Sequence, residues 1–177
     1  GPKGDLLQSE IIDSCSKANI PLLGPNCLGV INTHHRMNAS FSKHLPKTGG
    51  ISLLSQSGAV CTAMLDWAAA RNLGLAKIVS IGNKADLDET VFIKAFAEDE
   101  HTRVIVAYLE NITSGEEFIK AAEDASSIKP VVLLRAGITG AGMRAASAHT
   151  GNRAGDDIAY AAAFKRAGII RAESFDS

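Results

Sequence analysis

A parallel α/β sheet wound on both faces is what this chain encodes from residue 50 onward. Two observations carry that expectation. Apolar runs of strand length alternate with amphipathic runs of helix length. The strand runs are also continuously apolar instead of alternating in and out, as strands buried on both faces must be.

Residues 50–58, GISLLSQSG, form an apolar strand that ends in a Ser/Gly turn. Residues 58–71 follow as an Ala-rich helix with Val60, Met64, Leu65 and Trp67 on its apolar side, and Cys61 and Trp67 are expected in the core. AKIVSIGNK is a second strand closed by a Gly-Asn turn. DETVFIKAFAED is a helix with Val91, Phe92, Ala95 and Phe96 in a stripe, and Asp86, Asp88 and Glu89 read as acids that cap its start or, alternatively, face the site. TRVIVAYLE is a third, β-branched strand. SGEEFIKAAEDAS is a helix with Ser114 as N-cap and first-turn acids that suit the helix dipole. KPVVLLRAG is a fourth strand. A long stretch of glycine and small residues, 136–155, comes next, then the helix AGDDIAYAAAFKRAG and a short strand, IIRAE. Together these units predict a flavodoxin-like doubly wound fold spanning residues 46–177.

Residues 1–45 read differently. DLLQSEIIDSCSKA spaces Leu6, Leu7, Ile11, Ile12 and Cys15 as a helix does, with Asp5 as N-cap. IPLLGPN is a short apolar run stopped by a turn, and residues 32–49 are polar and irregular, as a linker is. This segment is expected to be the last helix and strand of another domain. The chain opens at Gly1-Pro2-Lys3-Gly4 without methionine and reads as a piece of a longer polypeptide.

Composition narrows the function. The 177 residues are 46% hydrophobic and 21% charged, which suits a globular domain. Eighteen Lys and Arg nearly cancel nineteen Asp and Glu, and no basic stripe stands out, so a nucleic-acid surface is not expected. No apolar run is long enough to span a bilayer, so no membrane partner is expected. No signal peptide is evident, which points to the cytoplasm. Three cysteines, widely spaced and without a CxxC pair, argue against a disulfide framework and a zinc site. His34 and His35 stand side by side in the polar segment and read as surface residues rather than metal ligands.

In doubly wound folds ligands sit outside the carboxyl ends of the strands. Four turns should therefore share one rim: SQSG at 55–58, GNKAD at 82–86, ENITSG at 110–115, and the long stretch carrying His149. SQSG runs straight from strand to helix. It reads either as a plain N-cap or as an anion site in which the amides of the helix start are joined by the hydroxyls of Ser55 and Ser57. It has neither the GxxxxGK[ST] nor the GxGxxG pattern, so a P-loop or dinucleotide fingerprint is absent. Glu110 at the third strand's end is either a solvated acid or part of the rim chemistry. His149 alone is either a surface residue or a nucleophile. Considered together, imidazole, carboxylate and anion cradle are what a phosphohistidine relay requires. Arg135 and Arg144 flank the long stretch and either steer an anionic substrate or are solvated. A receiver domain would want an acidic cluster where SQSG stands, and an FMN site would want aromatic loops that this rim lacks.

The ordered set GPNCLGVINT (24–33), NASF (38–41), GGISLLSQSGAV (49–60), GNKADLDE (82–89), YLENI (108–112), SAHTGNRAG (147–155) and RAGIIR (166–171) resembles the NDP-forming acyl-CoA synthetase superfamily. That superfamily includes succinyl-CoA synthetase and ADP-forming acetyl-CoA synthetase, and NASF and AHTGNRAG are most similar to the latter branch. The resemblance implies reversible conversion of an acyl-CoA, ADP and phosphate to a free acid, CoA and ATP. It implies that His149 carries the phosphoryl group, that Glu110 contacts it, and that Ser57 and Gly58 start the helix that receives the phosphate; Ser55 and Gly151 are expected to bind phosphate beside them. It also implies that Asn26 and Cys27 lie near the CoA thiol. It places a Rossmann-like CoA-binding domain before residue 1, with residues 1–45 as its tail. An ATP-grasp domain or subunit would bind ADP or ATP with magnesium. The implied partners are those two domains and a small carboxylic acid or its CoA ester, in an oligomer, with no cofactor held tightly by this piece. The family pattern is departed from at Ala148 and Asn152, where serines are common, while His149-Thr150-Gly151 is kept. A related group fuses a similar module to a lysine acetyltransferase, where it would sense acyl-CoA.

Overall fold

The computed structural model describes residues 1–136 and 157–174. Its helices are α1 (Pro2–Lys17), α2 (Gly58–Ala70), α3 (Glu89–Glu98), α4 (Gly115–Ser126) and α5 (Asp157–Arg166). Its strands are β1 (Gly29–Asn32), β2 (Met37–Ser40), β3 (Thr48–Ser55), β4 (Leu75–Ser80), β5 (Val104–Leu109), β6 (Val131–Arg135) and β7 (Ile170–Ala172).

All seven strands share one sheet in the order β2-β1-β4-β3-β5-β6-β7. The last five are mutually parallel. Counted by themselves they run 2-1-3-4-5, the flavodoxin-like order. Adjacent residues along these strands serve opposite faces. Leu54, Val79, Ile105 and Leu133 join Phe96, Phe118 and Phe164 in one core. Leu53 and Ile78 join Cys61 and Ala68 of α2 in the other. That division explains why the strands read as continuous apolar runs.

Several helices deviate from their expected faces. On α3 the buried stripe is Ile93, Phe96 and Ala97, and Val91 is exposed. The sequence stripe was off by about one position because Glu89 and Thr90 are also buried, for a reason given below. Trp67 is not in the core. It is 44% exposed, with the Arg71 guanidinium 4.3 Å over its ring, while Cys61 and Ala68 take the inward positions. Asp88 caps α3 as expected, accepting from the amides of Thr90 (2.9 Å) and Val91 (3.3 Å). Ser114 holds the N-cap position of α4 without a side-chain cap bond. Helix α1 begins at Pro2, so Asp5 lies in its first turn instead of capping it.

The largest departure lies before residue 48. Residues 29–40, overlapping the segment read as an irregular linker, form a hairpin that extends the sheet. Residues 20–23 form no strand. The hairpin is held by long-range contacts that a local pattern does not reveal. Thr33, 2% exposed, sends its hydroxyl to the carbonyl of Leu75 at 2.7 Å. Because β1 runs antiparallel to β4, Gly29 pairs with Ser80, and Ser40 of β2 pairs with Gly29. The chain entering β1 and the chain leaving β2 are thereby delivered to the carboxyl rim of the parallel strands.

Candidate functional site

A cleft of about 1280 Å³ opens on that rim. Its walls include Asn26, Cys27, Phe41, Ser57, Gly58 and Glu110. The adjacency of β3 and β5, whose connections depart in opposite directions, makes this the topological switch point of the sheet, where a crevice forms by geometry.

One wall is the start of α2. Ser57 is its N-cap, and its hydroxyl oxygen accepts from the Val60 amide at 3.3 Å. The amides of Gly58 and Ala59 have no intrahelical acceptor, as at any helix start, and both residues line the cleft. A side chain on Gly58 would meet no heavy atom closer than 3.8 Å. Packing therefore does not demand glycine there; its bare backbone leaves the amide open to approach. Ser55 differs from expectation. It is fully buried and its hydroxyl donates to the Ser57 carbonyl at 2.7 Å, so it braces the turn instead of facing the cleft. Among the described residues no lysine or arginine side chain lines the cleft. An anion at this wall would meet amides, hydroxyls and the positive end of the helix dipole.

A second wall is Glu110, the residue after β5. Gln56 joins the two walls. Its amide donates to the Tyr108 carbonyl (2.9 Å), and its side-chain Oε1 accepts from the amides of Glu110 (2.9 Å) and Asn111 (3.1 Å). Its Nε2 donates to Asn111 Oδ1 at 3.2 Å. Burial, and then the nearby Glu110 charge, push the Tyr108 hydroxyl up from its ordinary range.

The third wall is the turn before β1. The Asn83 amide donates to the Pro25 carbonyl and the Ala85 amide to that of Gly24, each at 2.9 Å. Asn26 Nδ2 reaches Asn83 Oδ1 at 3.4 Å. Gly82 has φ +54°, and a Cβ there would lie 2.3 Å from the Pro25 oxygen, so this close approach requires glycine. Asp86 ties the same region together, accepting from the Leu22 amide at 2.7 Å.

Beneath the rim lies a buried ion pair. Lys84 Nζ stands 2.8 Å from Glu89 Oε2, with side chains 5% and 0% exposed. Lys84 also donates to the Asn111 carbonyl at 3.1 Å, and Glu89 Oε1 accepts from the Thr113 amide at 2.6 Å. This is why α3 begins buried. Glu89 is part of a network between two rim loops, beyond the cap that its position suggests.

The structure thus brings Ser57, Gly58, Glu110, Asn26 and Cys27 around one cleft. His149, Gly151 and Arg144 lie outside the described residues. Arg135 is 7% exposed and its guanidinium lies 4.1 Å over the Tyr160 ring, so it is not solvated, and it does not line this cleft. His34 stacks on His101 with ring centroids 4.0 Å apart, and among the described residues no His, Cys, Asp and Glu group could hold a metal ion. No described helix is long and apolar enough to cross a membrane. Sequence reasoning missed Gln56, Asn111, Lys84 and Phe41. A long amide inside a turn of small residues was the available signal for Gln56. Lys84 and Glu89 stand five apart, a spacing with no local meaning, and Phe41 was hidden by the missed hairpin.

The fold and its rim cleft define a flavodoxin-like α/β domain with a site at its switch point. Residues 48–177 match the succinyl-CoA ligase like flavodoxin domain, and the chain belongs to that family. It is 47% identical over 170 residues to the ADP-forming acetate–CoA ligase of Methanocaldococcus jannaschii, covering 96% of this chain and 24% of the relative. It is 38% identical over 180 residues to the alpha subunit of ADP-forming acetate–CoA ligase I of Pyrococcus furiosus, covering 99% of this chain and 39% of the relative. A solved structure of acetyl-coenzyme A synthetase 1 from Ca. Korarchaeum cryptofilum, in complex with phosphate and ADP, superposes with a TM-score of 0.91 at 38% identity, over 96% of this chain and 37% of that one. The chain therefore spans between about a quarter and two fifths of these relatives.

Proposed function

We propose that this chain is the phosphoryl-carrying domain of an ADP-forming acyl-CoA synthetase. The protein would interconvert acyl-CoA, ADP and phosphate with a free acid, CoA and ATP. The observation that carries the reading is the cleft at the switch point. Open amides at the start of α2 share it with Glu110, and Asn26 and Cys27 also line it. The relatives' names supply the reaction class.

In this reading phosphate attacks the acyl-CoA carbonyl and CoA leaves, which yields an acyl phosphate. A ring nitrogen of His149 then attacks phosphorus. The bond from phosphorus to the carboxylate oxygen breaks, and the free acid departs. An ADP β-phosphate oxygen attacks next, the P–N bond breaks, and ATP forms. The amides of Gly58 and Ala59 with the Ser57 hydroxyl hold the phosphoryl oxygens, and Gly151 allows close approach. Glu110 accepts a hydrogen bond from the other ring nitrogen, which sets the tautomer and raises nucleophilicity. Asn26 and Cys27 border the thiol end of CoA. Residues 1–45 lead in from a CoA-binding domain as its tail, with the hairpin at 29–40 added to the sheet of the ligase domain at 46–177. An ATP-grasp partner holds the nucleotide with magnesium in a cytoplasmic oligomer. The acid is a small carboxylic acid.

The test uses the intact protein with its ATP-grasp partner and radiolabelled ATP. The label should be acid-labile and base-stable, and His149→Asn should abolish it together with activity. A His149→Asn protein that keeps both refutes the relay. Glu110→Gln should slow labelling by a factor on the order of 100.

A further inference from the structure

Four backbone groups just after β5 are satisfied by side chains. The amides of Glu110 and Asn111 donate to Gln56 Oε1 at 2.9 and 3.1 Å. The Asn111 carbonyl accepts from Lys84 at 3.1 Å, and the Thr113 amide donates to Glu89 at 2.6 Å. Ordinary loops turn to water for such bonds. Here the loop bearing Glu110 is held by a residue of the neighbouring turn, Gln56, and by a buried ion pair.

The Gln56 contact is chemically specific. One oxygen receives two amide protons, so that atom must be the carbonyl oxygen, and the NH₂ group must face Asn111 Oδ1, which it does at 3.2 Å. The backbone of Gln56 is itself bonded to Tyr108, the residue two before Glu110. The turn that leads into α2 and the turn that carries Glu110 are therefore tied directly to each other.

We propose that Gln56 is a positioning residue that sets the distance between the Glu110 carboxylate and the amides at the start of α2, with the Lys84–Glu89 pair as the second anchor. This deepens the proposed function, since it rests on Glu110 serving the phosphoryl carrier. Catalytic groups must be held within a fraction of an ångström, and a misplacement of about 1 Å can cost on the order of 100-fold in rate.

The experiment is a double-mutant cycle on the intact protein, read as the single-turnover rate of phosphoenzyme formation from radiolabelled ATP. Gln56→Met keeps the side-chain length and removes both the acceptor and the donor. It should slow labelling by about 10- to 100-fold. The nucleotide KM should not change, because Gln56 acts at a distance from that site. In a Glu110→Gln background, Gln56→Met should add little further loss, because its effect passes through Glu110. A double variant whose loss equals the product of the two single losses overturns the proposal, and so does a Gln56→Met protein that labels at the wild-type rate. If Gln56→Met does not fold, Gln56→Asn, which stays polar but is one methylene too short to hold the same contacts, runs in the same cycle with the same two outcomes. The underlying reading fails separately: Glu110→Gln alone would then label at the wild-type rate, whatever Gln56→Met does.

Discussion

Removing Lys84 should destabilise the chain more than any exposed charge would, and the size of the effect follows from its surroundings. The Lys84–Glu89 pair is 2.8 Å apart and almost fully buried. At an effective dielectric constant of about 20 the attraction at that separation is about 6 kcal/mol. Removing both ions from water costs several kcal/mol each, so the intact pair contributes little net stability. Breaking it is another matter. In Lys84→Met, Glu89 stays buried with only the Thr113 amide as a described partner, and the Asn111 carbonyl loses its lysine donor. A single-partner deletion of this kind costs about 3–5 kcal/mol. For a domain of this size that corresponds to a fall in Tm of roughly 6–20 °C. Adding Glu89→Gln removes the orphaned charge and should recover a large part of the loss. Urea denaturation followed by far-UV circular dichroism measures both variants. A Lys84→Met protein within about 1 kcal/mol of wild type, or a double variant no better than the single, would refute the reasoning.

Three further outcomes are expected. Gly82→Ala forces a Cβ to within 2.3 Å of the Pro25 carbonyl at φ +54°, and should cost about 1–3 kcal/mol in the same denaturation assay. Asp99 is partly buried, which by itself would raise its carboxyl, but hydrogen bonds from Lys77 and Thr102 and the Lys77 charge hold it at about 2. Its folded value lies below its unfolded one. Its contribution to stability is therefore present above about pH 4 and lost as pH falls toward 2, and Asp99→Asn should flatten an acid titration of stability in that window. Cys61 is fully buried, and burial pushes its thiol up to about 12, so at pH 8 an alkylating reagent should label Cys15 and Cys27 in the native protein and reach Cys61 only after unfolding.

The parallel core was legible because its information is local. Leu53 and Leu54, or Ile78 and Val79, are adjacent apolar residues that go to opposite faces, and a continuous apolar run encodes that. Asp88 was legible as a cap for the same reason, since its two acceptor bonds reach only two and three residues on. Trp67 was misjudged because helical spacing does not tell which edge of an apolar stripe is covered. The hairpin is not legible locally because its strands are four residues long, half polar, and stabilised by β4 about fifty residues away.

The site divides along the same line. Composition and periodicity alone dictated a doubly wound sheet and the convergence of its turns on one rim, because hydrophobic burial acts on every residue of a strand or helix. What faces what across that rim was decided only by packing in three dimensions. The antiparallel pairing of β1 with β4 delivers Asn26, Cys27 and Phe41 to the cleft, and Gln56, Lys84 and Glu89 clamp the loop that holds Glu110. Those bonds join residues up to 55 positions apart, and a hydrogen bond, unlike burial, leaves no period in the chain by which it could be foreseen.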